Sequence, residues 1–186
     1  MFRRHFLQAL PLAAAAVSTV PKGAFSQAVG GGSKTLVAYL SRTGNTRVIA
    51  YQIRRAKDAA LFEIDPAVAY SEDYEETVAQ ARRETASGYL PPLRASVRQV
   101  RQYDAVYLGF PIWGMTAPPV IRSFIRTHDL SEKAVYPFIT HGGYGVGNSI
   151  DVVTSLAPRA HLKPVLSMEA DQERQTLEQV RGWLDG

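Results

Sequence analysis

From residue 35 onward, short apolar runs alternate with longer segments in which apolar residues recur every three or four positions. The short runs are rich in β-branched and aromatic residues, which predicts buried strands over 35–40, 60–64, 104–110, 133–140 and 162–168. The longer segments predict helices over 48–57, 71–86, 120–127, 150–156 and 172–184. Strands that alternate with helices predict an α/β fold with a doubly wound, five-stranded parallel sheet.

The connection between the second and third predicted strands is unusually long. Residues 65–103 are too many for a simple crossover, so they are predicted to carry a polar helix over 71–86 and a further turn of structure. Tyr70, Tyr74 and Tyr89 are interpreted as packing beneath this excursion. The alternative is that one of them faces a substrate.

The turn after the first strand reads Ser41-Arg42-Thr43-Gly44-Asn45-Thr46. Free backbone N–H groups, hydroxyl donors and the positive end of a helix dipole meet at such a turn, which suits a phosphate. Gly44 would let the backbone approach the anion closely. The alternative is that Ser41 or Thr43 only caps the helix.

Two further turns follow the third and fourth strands. The first contains Pro111-Ile112-Trp113-Gly114 and runs on to Pro118-Pro119, and the second begins Thr140-His141-Gly142-Gly143-Tyr144. Trp113 offers a flat surface that could stack on a planar ring, unless it packs inward as core. Four glycines lie within 141–149, which suggests that the backbone itself contacts a ligand. A mobile lid or a helix-capping turn is the alternative for this second turn.

Composition narrows the possible chemistry. The chain of 186 residues has no cysteine, which excludes disulfides, thiolate metal sites and iron–sulfur clusters. Any redox chemistry would therefore need a bound organic cofactor, and no metal site is predicted. The net charge of +4 comes mainly from residues 1–28, and the remainder has 18 basic and 17 acidic residues. A nearly neutral body gives no indication of nucleic-acid binding.

Residues 1–28 have the features of an export signal. Arg3 and Arg4 precede a mostly apolar stretch that is too short to span a bilayer, and Ser26-Gln27-Ala28 offers small residues for a signal peptidase. The adjacent arginines resemble the twin-arginine signal, which carries folded proteins across the membrane. Residues 29–33 would form a flexible leader, and the protein is expected in the periplasm or otherwise exported. A plain secretory signal and a disordered cytosolic tail are the alternatives.

The three turns together resemble the three FMN-binding loops of the flavodoxins, and the resemblance covers residues 34–186 as one flavodoxin-like domain. It is closest to short-chain members whose second loop reads Pro-Ile-Trp. The resemblance implies strand order 2-1-3-4-5, helices on both faces of the sheet, and noncovalent FMN. It also implies phosphate binding by residues 41–46, with Arg42 as the one charged candidate, ring contacts from residues 111–114, and backbone bonds to the pyrimidine edge from residues 140–144.

The flavodoxin resemblance implies electron transfer through FMN, and the export signal in residues 1–28 predicts that this takes place in an exported compartment. No catalytic side chain is expected, because the flavin carries the electrons. His141 is hypothesised to stabilise the reduced flavin. The alternatives are an FMN-dependent NAD(P)H:quinone-type reductase and a non-enzymatic flavin-binding protein. The expected partner is an unidentified redox protein or a small-molecule electron acceptor.

Overall fold

The computed structural model describes residues 34–170 and 173–185. The predicted signal segment and leader, residues 1–33, lie outside the described residues. The strands are β1 Thr35–Tyr39, β2 Ala60–Glu63, β3 Ala105–Pro111, β4 Ala134–His141, β5 His161–Leu162 and β6 Leu166–Glu169. The helices are α1 Asn45–Lys57, α2 Tyr74–Ser87, α3 Pro119–Thr127, α4 Ser149–Leu156 and α5 Glu173–Asp185. No helix within these described ranges is long and apolar enough to cross a membrane.

The strands form one parallel sheet in the order β2-β1-β3-β4-β5, which confirms the predicted order. The prediction of a single last strand over 162–168 is wrong. Strand β5 pairs with the start of β4 and β6 pairs with its end, so the edge of the sheet is built from two short strands. Pro164 lies between them and has no N–H to donate, which interrupts the ladder at this point.

Both faces of the sheet are apolar. Consecutive residues of a strand point to opposite faces, so a continuous apolar run contributes to both. In β1, Leu36 and Ala38 belong to one buried cluster, while Val37 and Tyr39 belong to the other. Side chains from α3 and α4 complete the first cluster, and side chains from α1 and α5 complete the second. The prediction of helices on both faces is therefore confirmed.

The long connection between β2 and β3 contains α2, as predicted. This helix begins at Tyr74 rather than 71, because the side chain of Asp73 accepts a hydrogen bond from the Glu76 amide at 2.9 Å and caps it. A short 3-10 helix then precedes β3. Tyr70 is half-buried, but the side chains of Tyr74 and Tyr89 are 67% and 52% exposed. The packing interpretation is therefore wrong for Tyr74 and Tyr89.

The imidazole of His128 ties the end of α3 to the long connection. Its Nε2 accepts a hydrogen bond from the Val97 amide at 3.0 Å, and its Nδ1 donates to the Phe124 carbonyl at 2.9 Å. The ring also stacks on Phe124, with 4.2 Å between the ring centroids. Burial lowers the pKa of His128. The neutral ring is therefore the form that the folded protein accommodates.

We expect His128 to make the free energy of unfolding fall as the pH is lowered from 7.5 to 5.5. The unfolded chain binds a proton near pH 6.5, whereas the buried ring does so only at lower pH, so acid favours unfolding by at most about 1.4 kcal/mol per pH unit. Urea unfolding of wild type and His128→Gln measures this, and the variant should lose the slope. His161→Gln is the control, because His161 is exposed. Parallel curves for wild type and His128→Gln would refute the assignment.

Candidate functional site

Three turns meet at the carboxyl edge of the sheet. We name residues 41–46 the first turn, 111–116 the second turn and 140–147 the third turn. The amide of Leu40, just before the first turn, donates to the Gly109 carbonyl at 2.9 Å. The amide of Ile112 donates to the Thr140 carbonyl at 2.9 Å. The backbone hydrogen bonds that join β1, β3 and β4 thus continue to the point where each strand leaves the sheet.

A buried pair of hydroxyl groups joins the first and third turns. The Oγ1 atoms of Thr46 and Thr140 are 2.8 Å apart, although the residues are 94 positions apart in the chain. Both residues are at least 96% buried. Because each hydroxyl is a donor and an acceptor, the two hydroxyls bond to each other although both residues are buried.

The second and third turns touch through their backbones. The Asn148 amide donates to the Met115 carbonyl at 3.1 Å. A Cβ atom at Gly147 would lie only 2.1 Å from that same carbonyl oxygen, and Gly147 has a φ of +52°. Only glycine meets both conditions, so Gly147 lets the two turns approach each other closely.

The first turn is held in shape by Ser41. Its Oγ accepts hydrogen bonds from the amides of Gly44 and Arg47, each at 3.2 Å. The N-cap residue of α1 is Gly44, without a side-chain capping bond, so Ser41 contacts the first turn of the helix from outside it. A hydroxyl that accepts twice can still donate its proton, so Ser41 keeps one donor for a ligand.

Several amides of the first turn have no hydrogen-bond acceptor within the described part of the chain. Thr43, Asn45 and Thr46 donate no backbone hydrogen bond to any described residue. They lie at the amino end of α1, where the helix dipole is positive. Gly44 adopts a φ of +97°, which a side chain would disfavour. Together these groups form a concave set of donors suited to an anion.

Arg42 is held at the side of this turn. Its guanidinium donates to the Glu72 carbonyl at 2.6 Å and lies 5.7 Å from the centre of the Tyr74 ring. These contacts connect the first turn to the residues that lead into α2. The side chain of Arg42 therefore borders the cavity with part of its bonding capacity already used.

The second turn presents Trp113. The backbones of Trp113 and Thr116 pair at 3.0 and 3.3 Å, and the two residues between them, Gly114 and Met115, both have positive φ. The indole is half-buried and packs partly on the core, while stacking on a ligand ring stays a prediction. Its ring meets the edge of Tyr70, with 4.9 Å between the centroids.

His141 shapes the third turn. Its Nδ1 accepts a hydrogen bond from the Gly143 amide at 3.1 Å, which requires that this nitrogen carry no proton. Its Nε2 lies 3.1 Å from the Ser167 hydroxyl. The imidazole is thus oriented by the protein on both sides. Beyond it, Gly142 is exposed, and Tyr144 is 78% exposed.

The turns and α2 line an open cavity of about 660 Å³, within the usual range for small-molecule sites. Most of the predicted site residues line it: Arg42, Thr43, Asn45, Pro111, Ile112, Trp113, Gly114, Thr140, His141, Gly142 and Tyr144. Four predicted residues do not line it, namely Ser41, Gly44, Thr46 and Gly143. No carboxylate lines the cavity among the residues that the structure describes. An anionic ligand would therefore meet no fixed negative side chain in its wall.

The sequence prediction missed the wall that α2 provides. Tyr74, Thr77 and Val78 line the cavity, together with Met115 and Ala170. The signal for Tyr74 was present as the substrate-facing alternative for the aromatic residues of the excursion. Nothing in the local pattern of α2 indicates that it lies against the second turn, because that contact joins distant segments. Within the described residues, no cluster of histidine or acidic side chains could hold a metal ion.

Comparison with known proteins identifies the family of the chain. The model of a protein family described as flavodoxin matches residues 34–186. The chain belongs to the flavodoxin family. The comparison with curated proteins found no match.

Solved structures include relatives of this flavodoxin-family chain. A provisionally named flavoprotein from Bacteroides uniformis is 31% identical with a TM-score of 0.73, and the match covers 83% of this chain and 99% of the other. Another from Bacteroides eggerthii is 33% identical with a TM-score of 0.71, covering 82% and 96%. A Lactobacillus acidophilus flavoprotein in complex with FMN is 20% identical with a TM-score of 0.63, covering 78% and 99%, and shows a shared fold.

We expect Gly147→Ala to destabilise this flavodoxin-family protein by about 1–3 kcal/mol, because the new Cβ would strike the Met115 carbonyl at a positive φ. Urea unfolding measures the change. Gly142→Ala is the matched control, since a Cβ there meets nothing within 4 Å and its φ is not positive. Equal effects of the two substitutions would contradict the proposed contact between the second and third turns.

Proposed function

We propose that this protein binds FMN noncovalently and transfers electrons in an exported compartment. One observation carries the proposal: the three turns converge on a single cavity that has amide and hydroxyl donors at one end and Trp113 at the other. FMN has a phosphate, a flexible ribityl chain and a planar ring, in that order. The cavity offers a complementary surface to its two recognisable ends.

The phosphate would bind at the first turn. The amides of Thr43 and Asn45, which line the cavity, would supply donors to its oxygens, and Ser41 and Thr46 lie beside them in the same turn. Main-chain donors fixed by the helix need no side-chain ordering when the ligand arrives. Arg42 adds positive charge nearby, although its guanidinium also contacts Glu72 and Tyr74.

The ring would bind between the second and third turns. Trp113, Ile112 and Met115 offer apolar surface, and Gly142 exposes backbone that can bond polar atoms on a heterocycle. His141 would meet the same region with its ring already oriented by Gly143 and Ser167. The hypothesis that His141 stabilises the reduced flavin stays a prediction.

FMN would supply the one- and two-electron chemistry, and the residues of this chain would bind and orient it. The wall has no carboxylate among the described residues, so the electrostatic cost of adding negative charge in the cavity is smaller than in an acid-lined site. A flavoprotein with this fold, from Lactobacillus acidophilus, was solved in complex with FMN, which supports the choice of flavin.

Adding NADH or NADPH and a quinone to the FMN-loaded protein separates an electron carrier from a reductase. A carrier should be reduced by light or dithionite and show no steady consumption of nicotinamide. Steady consumption would instead favour the quinone-type reductase. A flavin that binds but accepts no electrons would indicate a non-enzymatic binding protein.

We expect Thr43→Glu to weaken FMN binding by at least about tenfold, because it places a carboxylate beside the phosphate donors. Thr43→Gln is the matched control: it has nearly the same size and loses the same contact with Asn45, but carries no charge. Quenching of flavin fluorescence during titration gives both dissociation constants. Riboflavin, which lacks the phosphate, should not distinguish the two variants. Equal FMN affinities would place the phosphate elsewhere.

The proposal that the protein is exported rests on Arg3 and Arg4 and on the apolar stretch that follows them. A protein that acquires FMN in the cytoplasm keeps it during export only if it crosses the membrane folded, which is the physical reason for a twin-arginine route. Removal of residues 1–28 would leave the short leader followed by the flavodoxin domain.

We expect the double substitution Arg3→Lys and Arg4→Lys to retain the protein in the cytoplasm with its signal segment uncut. The charge is preserved, so a plain secretory signal would still function. Cell fractionation followed by mass measurement of the intact chain decides between the two routes, and Lys22→Arg serves as a control in the same segment. Undiminished export of the double variant would exclude the twin-arginine route.

A further inference from the structure

The long connection between β2 and β3 holds a buried carboxylate that the FMN site does not use directly. Glu84, on the third turn of α2, is only 8% exposed, and no described residue forms an ion pair with it. A buried carboxylate is costly unless hydrogen bonds compensate it. The hydrogen-bond partners of its two oxygens are therefore needed to keep it buried.

Both oxygens of Glu84 are occupied by side chains of the same connection. The phenol of Tyr70 donates to Oε2 at 2.6 Å, and the Gln80 amide donates to Oε1 at 2.8 Å. Gln80 lies one helical turn before Glu84, so the helix itself fixes the carboxylate. Tyr70 lies before α2, and its bond to Glu84 spans 14 positions of the chain.

Tyr70 connects Glu84 to the proposed FMN site, because it also contacts Trp113. Its ring meets Trp113 edge-on, with 4.9 Å between centroids and 88° between the planes. This arrangement directs the positive edge of one ring at the negative face of the other. Burial and the neighbouring Glu84 raise the pKa of Tyr70 well above its usual range. The phenol therefore remains a hydrogen-bond donor at any pH at which the protein functions.

Trp113 needs such a support because its own turn is open on the other side. Gly114 and Met115 are exposed, and both have positive φ. A groove of about 190 Å³ also separates part of the indole from α2, with Val78 and Ala81 in its wall. Among the described residues, Tyr70 is the only aromatic side chain whose ring contacts Trp113.

We propose that Tyr70 and Glu84 are positioning residues of the ring site: Glu84 holds Tyr70, and Tyr70 holds Trp113 at the angle in which it meets the flavin. The inference rests on the proposed FMN function for its last step. The first step concerns only the protein, and it is testable without any ligand.

The ligand-free test uses 5-fluorotryptophan and fluorine NMR. The chain has two tryptophans, and Trp183→Phe identifies the signal of Trp113. In Tyr70→Phe, the Glu84 bond is lost while the aromatic ring remains, so the Trp113 signal should shift and broaden. Tyr89→Phe is the matched control, because Tyr89 lies on the same connection but is 52% exposed. An unchanged Trp113 signal in Tyr70→Phe would overturn the first step.

The second test measures FMN binding by the same variants. Tyr70→Phe should raise the FMN dissociation constant about three- to tenfold, the effect of one buried hydrogen bond, while Tyr89→Phe leaves it unchanged. The residual fluorescence of bound flavin should also rise in Tyr70→Phe, because a mobile indole quenches it less. Unchanged affinity and quenching would overturn the role at the ring site, whereas absence of FMN binding by wild type would overturn the proposed function instead.

Two variants of Glu84 keep the proposal testable if Tyr70→Phe folds poorly. Glu84→Gln retains an acceptor for Tyr70, and Gln80 can rotate its amide to match, so the Trp113 signal and FMN affinity should stay close to wild type. Glu84→Ala removes the acceptor and should reproduce the Tyr70→Phe effects. If Glu84→Gln and Glu84→Ala behave alike, the hydrogen bond does not position Trp113.

Discussion

The ligand cavity depends on contacts that draw three separate turns to one edge of the sheet. The first is the buried pair of Thr46 and Thr140, whose hydroxyl oxygens lie 2.8 Å apart. The second is the close approach of Gly147 to the Met115 carbonyl. Parallel pairing of β1, β3 and β4 brings the turns to the same edge, but these contacts set the distances between them. A phosphate site and a ring site consequently face a single cavity.

The long connection between β2 and β3 completes the cavity at this edge of the sheet. Its helix α2 supplies a wall, and it holds the ends of the cavity by different means. At the first turn, Arg42 bonds to the Glu72 carbonyl and lies over Tyr74. At the second turn, Tyr70 meets Trp113 edge-on. The excursion is thus part of the binding site as well as a link between strands.

Periodic segments allowed most of the fold to be predicted from the sequence, because strands and helices with strong apolar patterns are decided locally. The last strand was predicted as one element because the interruption at Pro164 affects hydrogen bonds to β4, a distant partner. The three turns were identified by their residue types, and most of their members line the cavity. The wall from α2 could not be predicted, since polar residues at Tyr74 and Thr77 resemble any solvent-facing helix until the packing partner is known. The hydrogen bonds that Ser41 accepts from Gly44 and Arg47 likewise depend on backbone geometry that residue type leaves open.

The central claim is that the three turns bind one ligand together. Amide NMR of the protein during titration with FMN tests it most directly. Thr43, Trp113 and Gly142 report on the first, second and third turns. The account predicts that all three signals move with one common dissociation constant. Shifts confined to a single turn, different constants for different turns, or no shifts at all would contradict it.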